Sequence, residues 1–381
     1  MNMQESARVQ ESVLGLSPDV LSGILAPLPP FRSRQIWEWI AKGARSFYEM
    51  GNLPLALREE LEARFTVYSG GITRKLSGSG ATVKLQITLA DGAQIEAVLL
   101  SDGGGRRTAC LSTQAGCAAS CVFCRTGALG FRRNLKAGEI VEQLLLLALT
   151  EKEDSEKDGP QKGILEKNIS NIVVMGMGEP LLNLEELRTA LSLITSRGAL
   201  GYSKRRITVS TCGIADGIRD LADHGPDIRL ALSLTTARAK LREELMPITK
   251  SNPLPLLKES LRYYQEKGGG RITLEAVLFA GLNTGTEDAA EMAAFAQGLH
   301  TVVNLIPWNP VEGIDTGARP LKSPDPREVR RFALQLEKRG LKVTRRLEKG
   351  RDISGACGQL GGCGDPHANK CGNVQNINNG K

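Results

Sequence analysis

The sequence predicts an α/β protein: a parallel sheet, doubly wound or rolled into a partial or full βα-barrel, with a small N-terminal helical domain and a β-hairpin extension. Three observations lead there. From about residue 107, β-rich runs alternate with amphipathic helical runs, the order that builds a parallel sheet with helices outside. Before it, helical spacing gives way to two alternating β-runs joined by Asp91-Gly92, a hairpin signal. At 381 residues the chain exceeds one ordinary core, so two or three domains are expected.

The elements follow in order. Residues 1–68 read as an N-terminal helical domain: SRQIWEWIAKGARSFYEM carries Ile36, Trp39 and Ile40 at helical spacing, and NLPLALREELEARF follows a Gly-Asn break. Residues 69–106 contain the hairpin VKLQITLADGAQIEAVLL. Residues 107–350 form the alternating core. Its strands are NIVVMGMG, RRITVST, IRLALSLT, RITLEAVLFAG and VVNLIPWNP; LEELRTALSLITSRG, GIADGIRDLADHG, PLLKESLRYYQEKG, EDAAEMAAFAQGL and PREVRRFALQLEKRG are helical. The charged stretch 151–168 reads as a surface loop insertion. Residues 351–381 are a C-terminal segment with a polar, mobile tail. No solenoid repeat is present.

Composition narrows the function classes. Apolar residues at 41% and charged residues at 24% exclude a disordered or fibrous chain. No run of about 18 apolar residues exists, so no membrane span is expected. The N-terminus lacks the basic-then-apolar order of a signal peptide, which points to the cytoplasm. A net charge of +7 leans toward a polyanionic partner. The eight cysteines, in a reducing compartment, then serve metal ligation or catalysis rather than a disulfide framework.

Cys117-Ala-Ala-Ser-Cys121-Val-Phe-Cys124 carries the chemistry. Its C-x3-C-x2-C spacing gathers three soft thiolates on one short loop, which suits zinc or an iron–sulfur cluster. No fourth donor stands nearby; the next histidine, His224, is far downstream. Three ligands fit a 4Fe–4S cluster with one iron left open better than tetrahedral zinc. The spacing is the signature of radical S-adenosylmethionine (SAM) enzymes.

The neighbouring motifs narrow this further. Cys110-Leu-Ser-Thr-Gln-Ala-Gly-Cys117, Phe131-Arg-Arg-Asn134, Gly176-Met-Gly-Glu179-Pro180, Arg206-Ile-Thr-Val-Ser210, Asn304-Leu-Ile-Pro-Trp-Asn309-Pro310 and Ala356-Cys357-Gly-Gln-Leu360 resemble, in family order, the RlmN group of radical-SAM RNA methyltransferases. The early FRSRQIWEWI and NLPLALREEL stretches are similar to the family's N-terminal helical domain. The resemblance implies a radical-SAM type βα-barrel that binds SAM and a 4Fe–4S cluster. It assigns Cys117, Cys121 and Cys124 to the cluster, and Gly178, Glu179, Ser210, Ser233, Leu234, Thr235 and Asn309 to SAM. Glycines at a strand end let a ligand approach the backbone, and Glu179 can accept hydrogen bonds from SAM's ammonium. Serines at two strand ends can bond its ribose or carboxylate, and the Asn309 amide can read its adenine edge. The chain departs from the family in having Thr235 where Ser-Leu-His is usual, which removes an imidazole contact but leaves the backbone.

The resemblance also implies a reaction. Cys357 accepts a methyl group from one SAM. A second SAM yields the radical that activates that methyl, which then adds to adenine C2. Glu96 takes the C2 proton, and Cys110 resolves the enzyme–RNA adduct by closing a disulfide with Cys357. The substrates implied are 23S rRNA and tRNA, and the expected reductant is a flavodoxin-like or ferredoxin-like electron donor. A monomer is expected. Arg32, Arg34, Lys42 and Arg45 are candidate phosphate contacts. Cys212 is expected in the core at a strand end, and Cys363, Cys371 and His367 in a solvated tail. Three alternatives stand beside this: an adenine-C8 methyltransferase of the sister group, a small-molecule radical-SAM enzyme, and a zinc RNA-binding module. The GMGEP and WNP segments favour C2 over C8.

Overall fold

Period-two spacing in the sequence becomes sheet, and helical spacing becomes the layer that covers it. A computed structural model describes residues 10–102, 104–153, 164, 168–311, 313–314, 320–345, 349–361 and 374–375. Among these, eleven strands form one sheet. They are β1 (Gly71–Ser77), β2 (Val83–Thr88), β3 (Gln94–Ser101), β4 (Arg107–Leu111), β5 (Asn171–Val174), β6 (Ile207–Thr211), β7 (Arg229–Ser233), β8 (Ile272–Leu278), β9 (Thr301–Pro307), β10 (Val343–Arg345) and β11 (Val374–Gln375). Their spatial order is β10-β9-β8-β7-β6-β5-β4-β3-β2-β1-β11. Neighbours from β4 to β10 are parallel, and β11, β1, β2, β3 and β4 pair antiparallel.

The parallel strands lie in space in the order they occur in the chain, so right-handed crossovers bring the connecting helices to one face. This is barrel topology, not a doubly wound sheet. Strands β4 and β10 are both flanked on one side only within the parallel run and do not pair with each other, so the barrel is partial.

The helices are α1 (Pro18–Ile24), α2 (Phe31–Ala41), α3 (Leu55–Arg64), α4 (Arg125–Ala128), α5 (Ala137–Glu153), α6 (Leu184–Thr195), α7 (Ala215–His224), α8 (Ala239–Leu245), α9 (Leu254–Glu266), α10 (Thr286–Ala296) and α11 (Pro326–Glu337). Helix α11 shows how local sequence sets them. Asp325 caps it by accepting from the Glu328 N–H, Pro326 sits in the first turn, and Val329, Phe332, Ala333 and Leu336 form the buried stripe. Each such aliphatic or aromatic side chain contributes about 1.5–3 kcal/mol on full burial.

Several expectations change. In α2 the fully buried tryptophan is Trp37, while Trp39 is partly exposed and donates its indole N–H to Asn52 at 2.6 Å. Strand β1 and helices α5 and α8 carry no separate signal in the sequence reading. Helix α5 is buried on all sides from Ala137 to Thr150, its Glu139, Glu142 and Gln143 included, because it lies between the sheet and the N-terminal segment; its Gly138 packs against Gly15. It runs to Glu153, so the stretch read as a loop from residue 151 begins as helix; most of the remainder lies outside the described residues. Cys363, Cys371 and His367 also lie outside them. No helix among the described residues is long and apolar enough to cross a membrane.

Register decides which side chains enter the barrel. Cys110 pairs with Val173, Thr208 with Val173 and Arg229, and Ser210 with Ala231. Ser233 pairs with Glu275, and Glu275 with Asn304. Paired residues share a face and alternate residues return to it. One interior face therefore carries Cys110, Ser210, Ser233, Glu275, Val277 and Ile306.

Candidate active site

The cleft at the C-terminal ends of the parallel strands collects these side chains, as expected for a βα fold. Cys117, Cys121 and Cys124 line it together with Glu179, Ser210, Ser233, Glu275 and Asn309. The loop that holds the thiols begins with Cys117 donating its N–H to Gly130 O at 3.0 Å. It is pinned at Val122, whose N–H donates to Leu245 O at 3.1 Å. Phe123 packs at 5.4 Å from Phe279, which packs at 5.8 Å from Trp308, and the Trp308 indole donates to Phe123 O at 3.1 Å. An apolar wall thus backs the three sulfurs.

Burial pushes the Cys117 thiol up to about 12 and raises Cys121 and Cys124; Cys124 adds to the rise at Cys117 and Cys121, and Cys357 to that at Cys124. Such thiols stay protonated until a metal replaces the proton. Among the described residues no three side chains already stand in metal-holding geometry, but three thiols lining one apolar-backed cleft are the donor set that an iron–sulfur cluster with one open iron would take.

Glu179 is buried and raised by desolvation. Its carboxylate accepts from the Thr211 hydroxyl and the Cys212 N–H, both at 2.7 Å, and from the Leu181 N–H at 3.0 Å. Much of its bonding capacity is internal, and it fixes the end of β6 to the loop after β5. A side chain at Gly176 would meet Leu111 O at 2.7 Å, and one at Gly178 (φ +98°) would meet Gln114 at 2.5 Å. These glycines make room for the strand beside them as well as for a ligand.

Ser210 and Ser233 line the cleft. Ser210 donates to Glu275, a residue not singled out from the sequence, although one acid in the apolar run RITLEAVLFAG is a visible signal. Leu234 and Thr235 do not line the cleft. Leu234 is fully buried in the core, and Thr235 (φ +60°) turns a buried hydroxyl away from partners while its N–H donates to Glu275 O at 2.9 Å. Beneath them Arg242, fully buried, donates to Ser233 O at 3.1 Å and Cys212 O at 2.6 Å. Within REEL it has the look of an ordinary exposed helix residue. Cys212 is buried just past β6, but beside the cluster loop rather than in the main core.

Cys110 and Cys357 line one narrow cavity with Asn309 and Met175. Cys357, Asn309 and Met175 also line the cleft of the cluster thiols, so the two spaces adjoin. Asn309 donates to Cys357 O at 3.3 Å and keeps a buried, unpartnered Oδ1. No disulfide joins the two. Glu96 lies on the same β3 face as Val98, the partner of Cys110, but opens on a neighbouring cleft with Gln86, Arg125 and Met177. It is 3% exposed, so it is not a solvated strand residue.

Residues 26–67 match the family model described as the ribosomal RNA large subunit methyltransferase N-terminal domain. A protein of Treponema denticola named "Probable dual-specificity RNA methyltransferase RlmN" is 46% identical over 354 residues, 93% of this chain and 96% of its own length. A protein of the same name from Thermus thermophilus is 39% identical over 349 residues, 91% and 92% of the two chains. The crystal structure of a radical SAM methyltransferase from Sphaerobacter thermophilus superposes with a TM-score of 0.84 at 35% identity, covering 92% of this chain and 99% of that one.

Proposed function

Since the chain belongs to the RlmN family of radical-SAM RNA methyltransferases, we propose that it methylates C2 of one adenosine in 23S rRNA and of a tRNA. The adjoining of the two cavities carries this reading: a cysteine pair, Cys110 and Cys357, stands beside a three-thiol site on a βα-barrel. A small-molecule radical-SAM enzyme has no need of that pair, and a zinc module has no need of the cleft.

A 4Fe–4S cluster on Cys117, Cys121 and Cys124, with SAM bound, supplies the carbon radical that an electron-poor aromatic carbon requires. The protein's own residues do the rest. Cys357 carries the methyl group as a thioether, poised between the cluster cleft and the cavity it shares with Cys110. Glu96 takes the C2 proton. With the adduct's unpaired electron given back to the redox site that supplied it and its own thiol proton lost, Cys110 attacks the Cys357 sulfur: a sulfur–sulfur bond forms, the carbon–sulfur bond breaks with its electron pair left on the one-carbon unit, and a proton taken up there completes the methyl on the base. A flavodoxin-like or ferredoxin-like donor then reduces the disulfide. Ser210, Ser233, Glu179 and Asn309 orient SAM. Exposed Phe31 with Arg32 over its ring, and Lys42 over Trp39, offer the N-terminal helices cations and rings for RNA. We place the reaction in the cytoplasm, with a monomeric enzyme.

The test is nucleoside mass spectrometry of 23S rRNA and tRNA treated with cluster-loaded protein, SAM and reductant. 2-Methyladenosine is expected, and Cys357→Ala should abolish it. 8-Methyladenosine, or full activity in Cys357→Ala, overturns the assignment.

A further inference from the structure

We propose that Lys84 is a positioning residue for Cys357, through an ion pair with Glu96 that fastens both ends of the segment bearing that cysteine. Its value to catalysis rests on the reading of Cys357 as methyl carrier; the fastening itself does not.

In the alternating ribbon VKLQIT, a lysine should point to water. Lys84 is instead 1% exposed and Glu96 3% exposed, their charges 3.4 Å apart. Lys84 pairs in register with Val98, which pairs with Cys110, so Lys84, Glu96 and Cys110 share one face of the sheet. The segment 349–361 covers that face.

Burying an ammonium and a carboxylate carries a desolvation penalty that their attraction must offset, and an apolar pair would pack there without it. The partners suggest what the charges accomplish. Lys84 Nζ donates to Ser354 O at 3.2 Å, three residues before Cys357. Glu96 Oε2, the oxygen facing Lys84, accepts the Gly361 N–H at 2.9 Å, four residues after it. Ser354 has a left-handed backbone (φ +50°), a strained conformation for a non-glycine residue that its surroundings must hold. Between these anchors the cluster loop grips the same segment: the Arg125 N–H donates to Gly358 O and the Thr126 hydroxyl to Leu360 O, each at 2.8 Å. The Cys357 segment is therefore held against the cluster loop by one ion pair on the hairpin and two bonds from the loop, beside the bonds that Asn309 makes to Cys357 O and Gln359 makes to Pro310 O. Reactions between held groups lose rate steeply when that placement slackens.

Three variants of the cluster-loaded enzyme test this: Lys84→Met, Glu96→Gln and the double variant. Hydrogen exchange of the 350–361 peptide and the rate of Cys357 alkylation by iodoacetamide are read beside iron content and melting midpoint. Lys84→Met should keep its iron, exchange 350–361 about tenfold faster or more, alkylate faster at Cys357, and accept methyl on Cys357 about tenfold more slowly. The double variant has no lone buried charge. It should regain the melting midpoint but keep the fast exchange, because Ser354 O still lacks its donor. Wild-type exchange and alkylation in the double variant would reduce Lys84 to charge neutralisation and overturn the proposal; that comparison stands even if Lys84→Met fails to fold. If wild-type Cys357 never acquires a methyl, the functional reading fails while the exchange result still decides the fastening.

Discussion

Ser210 on β6 donates its hydroxyl to the Glu275 carboxylate on β8 at 2.7 Å, reaching past the intervening β7. The bond ties two alternate strands together inside the barrel and presents Glu275 to the cleft that Ser210 and Ser233 line. A carboxylate held there, facing a site for a cationic, hydroxyl-rich ligand, should contribute to binding rather than to cluster assembly. Glu275→Gln is expected to weaken SAM binding about tenfold, the loss of one charge-assisted hydrogen bond of about 1.4 kcal/mol, with iron content unchanged. Anaerobic equilibrium dialysis with labelled SAM checks this. Unchanged affinity would remove Glu275 from the site.

Arg242 supports the same cleft from below. Its guanidinium donates to carbonyls at the ends of β6 and β7, and burial brings its pKa down to about 10. Arg242→Met leaves those carbonyls without a donor in a dry interior. We expect a loss of about 3 kcal/mol in stability, seen as a lower denaturant midpoint. The Ser233 end should loosen with it, so SAM affinity falls in the same variant.

Glu142 on α5 gives the protein a pH signature. It is 1% exposed, accepts from Ser69 N, Ser69 Oγ and Gly70 N at 2.7–2.8 Å, and burial pushes its pKa up to about 7. The folded state thus binds this proton more tightly than the unfolded chain, whose glutamate titrates near 4.5. The stabilising contribution is full below the unfolded value, declines as pH rises, and is gone above about 7. Glu142→Gln should flatten the change in stability between those limits, about 3 kcal/mol in wild type. Denaturation midpoints at pH 5 and pH 8 for both proteins provide the comparison, and equal slopes would refute it.

Cys110 and Cys357 have consecutive tasks in the proposed reaction, so their variants should fail differently. Cys110→Ala should still take a methyl onto Cys357 and cleave SAM, then stall as a covalent protein–RNA adduct. On a denaturing gel that adduct runs slow and collapses on nuclease treatment. Normal turnover without an adduct would assign the resolving role to another thiol.

The sequence by itself determined most of the strand–helix order, the three thiols that are candidate cluster ligands, and the family. Those signals are local or contiguous: a C-x3-C-x2-C loop, strand–helix alternation, and motifs such as GMGEP and WNP are complete within a few residues. It also marked Cys110, Glu96 and Cys357 as candidates, through resemblance rather than through any property of their neighbourhoods. Helix α5 escaped because a helix buried on all sides carries an unbroken apolar run, LLLLAL, that hides its period. Tertiary structure alone decided that the barrel stays open, since pairing between β4 and β10 is a contact between distant segments. It alone showed that Leu234 and Thr235 lie behind the cleft wall, where the chain turns left-handed and spends its N–H on Glu275. It alone buried Lys84, Glu96 and Arg242. Each of them looks solvent-facing in its own strand or helix, and each is covered by a segment far away in the chain: Lys84 and Glu96 by residues around 354–361, and Arg242 by the ends of β6 and β7. Charge in a period-two or helical pattern reports which face a residue occupies, and only the packing of remote segments reports whether that face meets water.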